Sequence, residues 1–260
     1  MELSAEQSAT FDRDGLLVLP DLFSAGEVAL IRARLPALLA EDPASNVREK
    51  KIGVYRTAMG LHLRDDLFAR LVRHPRLCGP AMQILGPDLY VQQVKVNIKA
   101  AFGGETWQWH QDFSTHHGED GVPDPLTLNL HIFLDDVSEF NGPLYFLPGS
   151  HRRGPAKASL DTDTTSYPLW VVDDELVTDL ANTGGIVSAT GPEGSGLIFW
   201  DTMVHGSPPN MSPWDRGIFS LILNPIAKGL TRHQRPDHNH HHDLNPVVPL
   251  ADDCLLNDAA

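Results

Sequence analysis

Along this chain the spacing of apolar positions changes near residue 88. Before it, apolar residues recur every three or four positions in residues 4 to 13, in VALIRARLPALLAE (28 to 41) and in DDLFARLVRHPRLCGPAMQILG (65 to 86), the period of amphipathic helices. Ser24 and Glu27 stand three apart at the start of the second segment, the spacing of a capping box. Pro36 is expected to kink or break that helix, and further prolines to divide the third. One apolar run here reads as a strand, GLLVLPDLF at 15 to 23, which Pro20 ends or confines to a sheet edge. The first part, about 1–87, is therefore expected to be mostly helical.

From residue 88 the runs shorten and turn β-branched or alternating: DLYVQQVKVNIKA, TWQWHQDF, LTLNLHIFLDD, GPLYFLPGSH, GSGLIFWD and GIFSLILNPI, with Gly, Pro, Asn and Asp between them. Short strands separated by turn residues predict a β-sandwich or barrel over about 88–226. A tail, 227–260, follows, with a His-rich tract in RPDHNHHHDLNP that reads as a surface or lid segment. The acidic, weakly patterned stretch 153–192 is the other candidate lid. At 260 residues, one domain with one large core is the expectation.

Composition narrows the function. Hydrophobic residues are 42% and charged residues 21%, an ordinary globular balance rather than a disordered one. The net charge of −14 repels phosphate backbones and anionic lipid, so neither nucleic acid nor a membrane is an expected partner. Cys78 and Cys254 lie far apart and outside any CxxC pattern, which fits a reducing cytoplasm. No signal peptide or membrane span is read, and a monomer or homodimer is expected.

The chemistry concentrates in WQWHQDFSTHH, residues 107 to 117. His110 and Asp112 are two apart, and on a strand such residues project from one face and can reach one point. His205, just after the apolar run GSGLIF, is the best third ligand. Two histidines and a carboxylate make the facial triad that holds Fe(II) with open positions, although the same set also suits catalytic zinc. Arg216, eleven residues past His205, offers a planar cation for a dicarboxylate, and triad plus anion clamp suggests 2-oxoglutarate. The remaining histidines, His62, His74, His131, His151, His233 and the 238 to 242 group, read as surface or satisfied polar residues. Trp109, Phe113 and Trp200 read as packing aromatics. Glu119, Asp120 and Gly121 are expected to shape a loop near the site.

FDRDGLLVLPDLF, WHQDF, NGPLYFLPGSH and HGSPPN with Arg216 together resemble the phytanoyl-CoA dioxygenase family of Fe(II)/2-oxoglutarate oxygenases over nearly the whole chain. HQDFSTHHGEDGVP, with Gln93, Lys95 and Asn97, is most similar to the ectoine hydroxylase branch. The resemblance implies a mainly β fold with supporting helices, a double-stranded β-helix (jelly-roll, cupin-like) barrel with iron at its mouth. It implies Fe(II) on His110, Asp112 and His205, and 2-oxoglutarate on Arg216, Ser207, Asn129 and Lys95. Gln93, Thr115 and His116 are then the substrate residues. Two departures stand out. His116 replaces a tryptophan that packs against a cyclic cationic substrate in that branch, and Lys95 replaces an arginine.

The implied reaction is hydroxylation of an unactivated C–H bond with O₂ and 2-oxoglutarate, releasing succinate and CO₂. Asp112 fills the position that related halogenases leave for chloride, which favours a hydroxylase. The expected substrate is a small polar metabolite: an amino acid, an amino-acid derivative or an aminophosphonate. A zinc-dependent hydrolase and a non-catalytic small-molecule-binding protein on the same barrel are the alternatives.

Overall fold

The computed structural model describes residues 1–41 and 43–256. Its helices are α1 (Ala5–Asp14), α2 (Ala25–Ala40), α3 (Asp66–Leu71), α4 (Pro75–Leu85), α5 (Asp112–Asp120) and α6 (Asp174–Gly184). The strands are β1 (Leu16–Leu19), β2 (Asn46–Arg48), β3 (Tyr55–Met59), β4 (Leu89–Lys99), β5 (Trp107–His110), β6 (Leu128–Phe133), β7 (Leu144–Phe146), β8 (Ala158–Asp161), β9 (Leu169–Val172), β10 (Val187–Ala189), β11 (Gly196–Trp200), β12 (His205–Ser207) and β13 (Arg216–Pro225). They form two antiparallel sheets, ordered β1-β11-β6-β13-β4-β3-β2 and β10-β7-β12-β5-β9-β8. This is the mainly β, helix-supported jelly roll expected.

The period-two pattern of the long strands separates two interiors. On β4, Val94 and Val96 point toward the helices, as do Leu128, Leu130 and Ile132 of β6; Phe11, Val28, Ile31, Phe68, Leu71 and Leu77 pack in that same core. The alternate residues, Gln93, Lys95 and Asn97 of β4 and Asn129 and His131 of β6, face the space between the sheets. Strand register aligns them, since Ser220 of β13 lies opposite both Lys95 and His131. Part of the inter-sheet space is filled by Phe133, Phe146, Leu197, Phe199 and Ile218, and the polar rows line the rest.

Three local expectations change. Helix α2 runs unbroken from Ala25 to Ala40 with Pro36 inside it; its capping box forms in full, with Ser24 accepting from the Glu27 amide and Glu27 from the Ser24 amide. Buried Val28, Ile31 and Leu38 pack α2 on the core on both sides of the proline, so tertiary packing overrides the proline penalty. The first 87 residues also supply β1, β2 and β3 to the larger sheet; β2 and β3 were not foreseen because NVR and YRTAM are too short for a period to show. The third change is at the His-rich tract. Expected to be a surface or lid segment, it is anchored to the barrel at its middle: His240 is 1% exposed and the His241 amide donates to the Gln92 carbonyl at 2.7 Å, while Pro236, Asp243 and Asn245 stay exposed.

Candidate metal centre and substrate pocket

Strand β5 ends at His110, and α5 starts at Asp112 as its first residue. The two ligands therefore meet across a strand-to-helix turn, not along one strand as the i, i+2 reading supposed. The Gln111 side chain fixes the turn: its Nε2 donates to the Thr202 backbone carbonyl at 2.6 Å and the Gly154 backbone carbonyl at 3.1 Å, and its Oε1 accepts from the Ala156 backbone amide at 2.7 Å. Placement at the first turn of α5 also sets the Asp112 carboxylate at the positive end of the helix dipole.

β12 then places His205 directly opposite His110. The ring centroids are 4.1 Å apart. Asp112 Oδ1 is 3.7 Å from His110 Nε2, and Oδ2 is 3.9 Å from His205 Nε2. One donor atom from each residue lies within 4.8 Å of the others. Both rings are oriented from behind: His110 Nδ1 is 2.6 Å from the Gln108 carbonyl, and His205 Nδ1 is 3.0 Å from the Met203 carbonyl. Donation from Nδ1–H leaves each Nε2 lone pair for a metal. Burial works against the Asp112 charge, but His110, His205 and Lys95 outweigh it and hold the carboxyl well below its ordinary range. The donor set fits a resident Fe(II) with open positions.

A pocket of about 820 Å³, including its open mouth, surrounds these ligands. Arg216 stands in its wall, 2% exposed. One terminal nitrogen donates to the Gly142 carbonyl at 2.7 Å and to Ser207 Oγ at 3.3 Å, while its buried Nε has no partner. Burial lowers its pKa to about 10, so it remains a cation at neutral pH. A buried guanidinium with an orphaned N–H fits the distal carboxylate of 2-oxoglutarate.

Lys95, Asn129, Gln93, Thr115 and His116 also line the pocket. Both side-chain polar atoms of Asn129 are buried and unpaired. Burial lowers the Lys95 pKa against the pull of Asp112. Ser207 alone of the predicted set does not reach this pocket; its hydroxyl donates to the Gly142 carbonyl at 2.9 Å and steadies Arg216 from behind.

Several lining residues were missed. His131, read as a bland histidine, faces the cavity with both ring nitrogens unpaired, and burial holds it neutral. Its alternation with Asn129 in LTLNLHIF was the available signal. Trp107 lines the pocket under Arg56, whose guanidinium sits 3.8 Å above the ring. Phe199 lines it rather than Trp200, which packs against Phe11. Tyr167 and Leu169 come from the 153–192 stretch, which is folded as β8, β9, α6 and β10.

Arg235 enters from beyond the barrel strands. It donates Nε to Asp120 Oδ1 at 2.8 Å and a terminal nitrogen to Oδ2 at 2.5 Å, with another nitrogen 3.2 Å from the Tyr167 hydroxyl. Asp120 Oδ2 also lies 2.8 Å from His240 Nδ1. Asp120 thus closes a buried cluster at the C-terminal end of α5 instead of shaping a loose loop.

Two facing sheets with a His, Asp and His triangle between them define a jelly-roll metalloenzyme of the non-haem dioxygenase class. The chain belongs to the phytanoyl-CoA dioxygenase (PhyH) family, whose model matches residues 11–218. L-Proline trans-4-hydroxylase of Streptomyces griseoviridis is 36% identical over 94% of this chain and 95% of its own length. Ectoine dioxygenase of Bordetella parapertussis is 38% identical over 91% of this chain and 82% of its own. The crystal structure of EctD from S. alaskensis with 2-oxoglutarate and 5-hydroxyectoine superposes with a TM-score of 0.84 at 33% identity, covering 96% of this chain and 87% of that one. A zinc hydrolase would leave the orphaned Arg216 Nε without a role, and the relatives named for an activity are a proline hydroxylase and ectoine dioxygenases.

Proposed function

We propose that this protein is an Fe(II)- and 2-oxoglutarate-dependent dioxygenase that hydroxylates a small polar metabolite. The observation that carries the reading is the three-donor triangle with the unpaired, buried Arg216 cation in the same pocket. His110, Asp112 and His205 hold the metal, and Arg216, steadied by Ser207, takes the distal carboxylate of the cosubstrate. Asn129 and Lys95 add polar contacts beside it. Iron with 2-oxoglutarate and O₂ supplies the oxidising power that converts C–H to C–OH as succinate and CO₂ are released.

The chain's own residues bind, orient and exclude water. Gln93, Thr115 and His116 face the substrate. One relative is named for ectoine and another for L-proline; from these names we carry over the class, a small amino acid or amino-acid derivative. The pocket agrees, since polar Gln93, Thr115 and His116 line it together with Arg235, which Asp120 holds in place. No helix among the described residues is long and apolar enough to cross a membrane. We assign the protein to the cytoplasm as a monomer or homodimer, to be checked by fractionation and light scattering.

Anaerobic addition of Fe(II) and 2-oxoglutarate to the metal-free protein is expected to produce a visible charge-transfer band. No band in the wild type, or an undiminished band in His110→Ala or Asp112→Ala, would sink the assignment.

A further inference from the structure

Asp112, His116 and Asp120 succeed one another at four-residue intervals along α5 and share one face. The first is in the metal triangle and the third grips Arg235. His116, between them, is 3% exposed and lines the pocket. Asp201 lies behind it, wholly buried, with neither carboxylate oxygen hydrogen-bonded. Asp201 Oδ2 is 3.9 Å from His116 Nδ1, itself unpaired. The main chain fixes this approach: the Asp201 amide donates to the Thr127 carbonyl, and the Phe113 amide of α5 donates to the Asp201 carbonyl, each at 3.1 Å. Neither the metal triangle nor the Arg216 clamp uses the pair.

Burial pushes the Asp201 carboxyl above its ordinary range, and the His116 ring and the Thr127 side chain act against that; an ionised carboxylate left there without a partner costs several kcal/mol, and His116 Nδ1 is the ring nitrogen placed to meet it. We propose that Asp201 holds the His116 ring with Nδ1–H toward the carboxylate and Nε2 toward the cavity, where Nε2 accepts a hydrogen bond from the protonated amine of the substrate. His116 is then the specificity-determining residue and Asp201 its positioning residue. This rests on the dioxygenase reading above. Arg235 lines the same cavity, with Asp120 holding its Nε and one terminal nitrogen and the other terminal nitrogen near the Tyr167 hydroxyl, so a donor for a carboxylate and an accepting nitrogen on this wall together suit a zwitterion, a small amino or imino acid. An aromatic ring at this position would instead favour a delocalised cation over its face. The imidazole nitrogen, backed by an anion, favours a localised N–H.

The test pairs small α-amino and imino acids with analogues lacking the N–H, such as L-proline with tetrahydrofuran-2-carboxylic acid, scored by succinate release and gain of one oxygen. The amine member is expected to have a kcat/KM at least about tenfold higher, and Asp201→Asn to raise its KM about tenfold with little change in kcat, the size of one charge-assisted hydrogen bond. Imidazole ¹⁵N spectra should show His116 as the Nδ1–H tautomer in the wild type and lose that signature in Asp201→Asn. Should Asp201→Asn not fold, His116→Gln, which keeps an accepting oxygen, should retain the preference for the amine, and His116→Phe should lose it. Equal use of amine and ether, or an Asp201→Asn protein with unchanged tautomer and KM, overturns the proposal. So does a preference for the amine that survives His116→Phe. If no panel member releases succinate and the Fe(II)–2-oxoglutarate band is also missing, the dioxygenase reading itself fails; an intact band with succinate release confines any failure to the role of His116.

Discussion

At Arg216 a charge is buried with its Nε–H unspent and only neutral oxygens on the terminal nitrogen that is hydrogen-bonded. Such a group gains most from an anion that enters the pocket, and truncating one side of a buried charge pair costs about 2–5 kcal/mol. Arg216→Ala is therefore expected to weaken 2-oxoglutarate binding by roughly 30-fold or more, read by calorimetry under argon. Arg216→Lys should recover only part of this, because a point charge cannot reproduce the planar fork. Ser207→Ala should have a smaller effect in the same assay, since the hydroxyl meets Arg216 and not the cavity.

Helix α5 joins the two ends of the site. Its first residue belongs to the His110, Asp112 and His205 triangle, and its last, Asp120, binds Arg235 and lies 2.8 Å from His240. Burial would raise the Asp120 pKa, but the adjacent His240 ring and the two hydrogen bonds from Arg235 outweigh it and bring it down from 3.8 to about 2. A carboxyl with a depressed folded pKa stabilises the protein above its unfolded value and ceases to do so as pH falls through the folded value. The cluster should thus contribute on the order of 2 kcal/mol at pH 7. Asp120→Asn should lose about that much in urea unfolding at neutral pH, with the gap to wild type narrowing between about pH 4 and pH 2. At α2, Glu27 both completes the capping box and pairs with Arg76 while 3% exposed. Glu27→Ala is expected to cost about 2–4 kcal/mol in the same measurement.

Over the whole molecule, the segment after β13 closes the pocket and packs on the helical core. The Val247 amide donates to the Leu89 carbonyl and the Leu250 amide to the Arg73 carbonyl, and Val247, Cys254 and Leu255 are core residues. This segment lies beyond the span matched by the family model, yet it carries Arg235 and His240. A chain ended at Lys228 is expected to melt roughly 10 °C lower or more, given the apolar area it would expose. It should also lose substrate binding by calorimetry.

What the sequence by itself determined is what short-range order encodes. The alternation of Val94 and Val96 with Gln93, Lys95 and Asn97 marked β4 as a strand with one apolar and one polar face, and the spacing of Ser24 and Glu27 marked the start of α2. That His110, Asp112 and His205 come together was legible because His110 and His205 stand at strand ends and Asp112 follows one of them by two residues, although on a helix rather than the strand expected. Tertiary structure alone decided which polar residues meet. His131 looked ordinary until strand register put it opposite Ser220, and Pro36 looked disruptive until the core packed α2 on both sides of it. Arg235 and Asp120 are more than a hundred residues apart and Asp201 reaches His116 only through the turn after β11, so neither pair leaves a local pattern. Those contacts depend on which sheet faces which, and on burial that makes an unpaired charge too costly to leave alone.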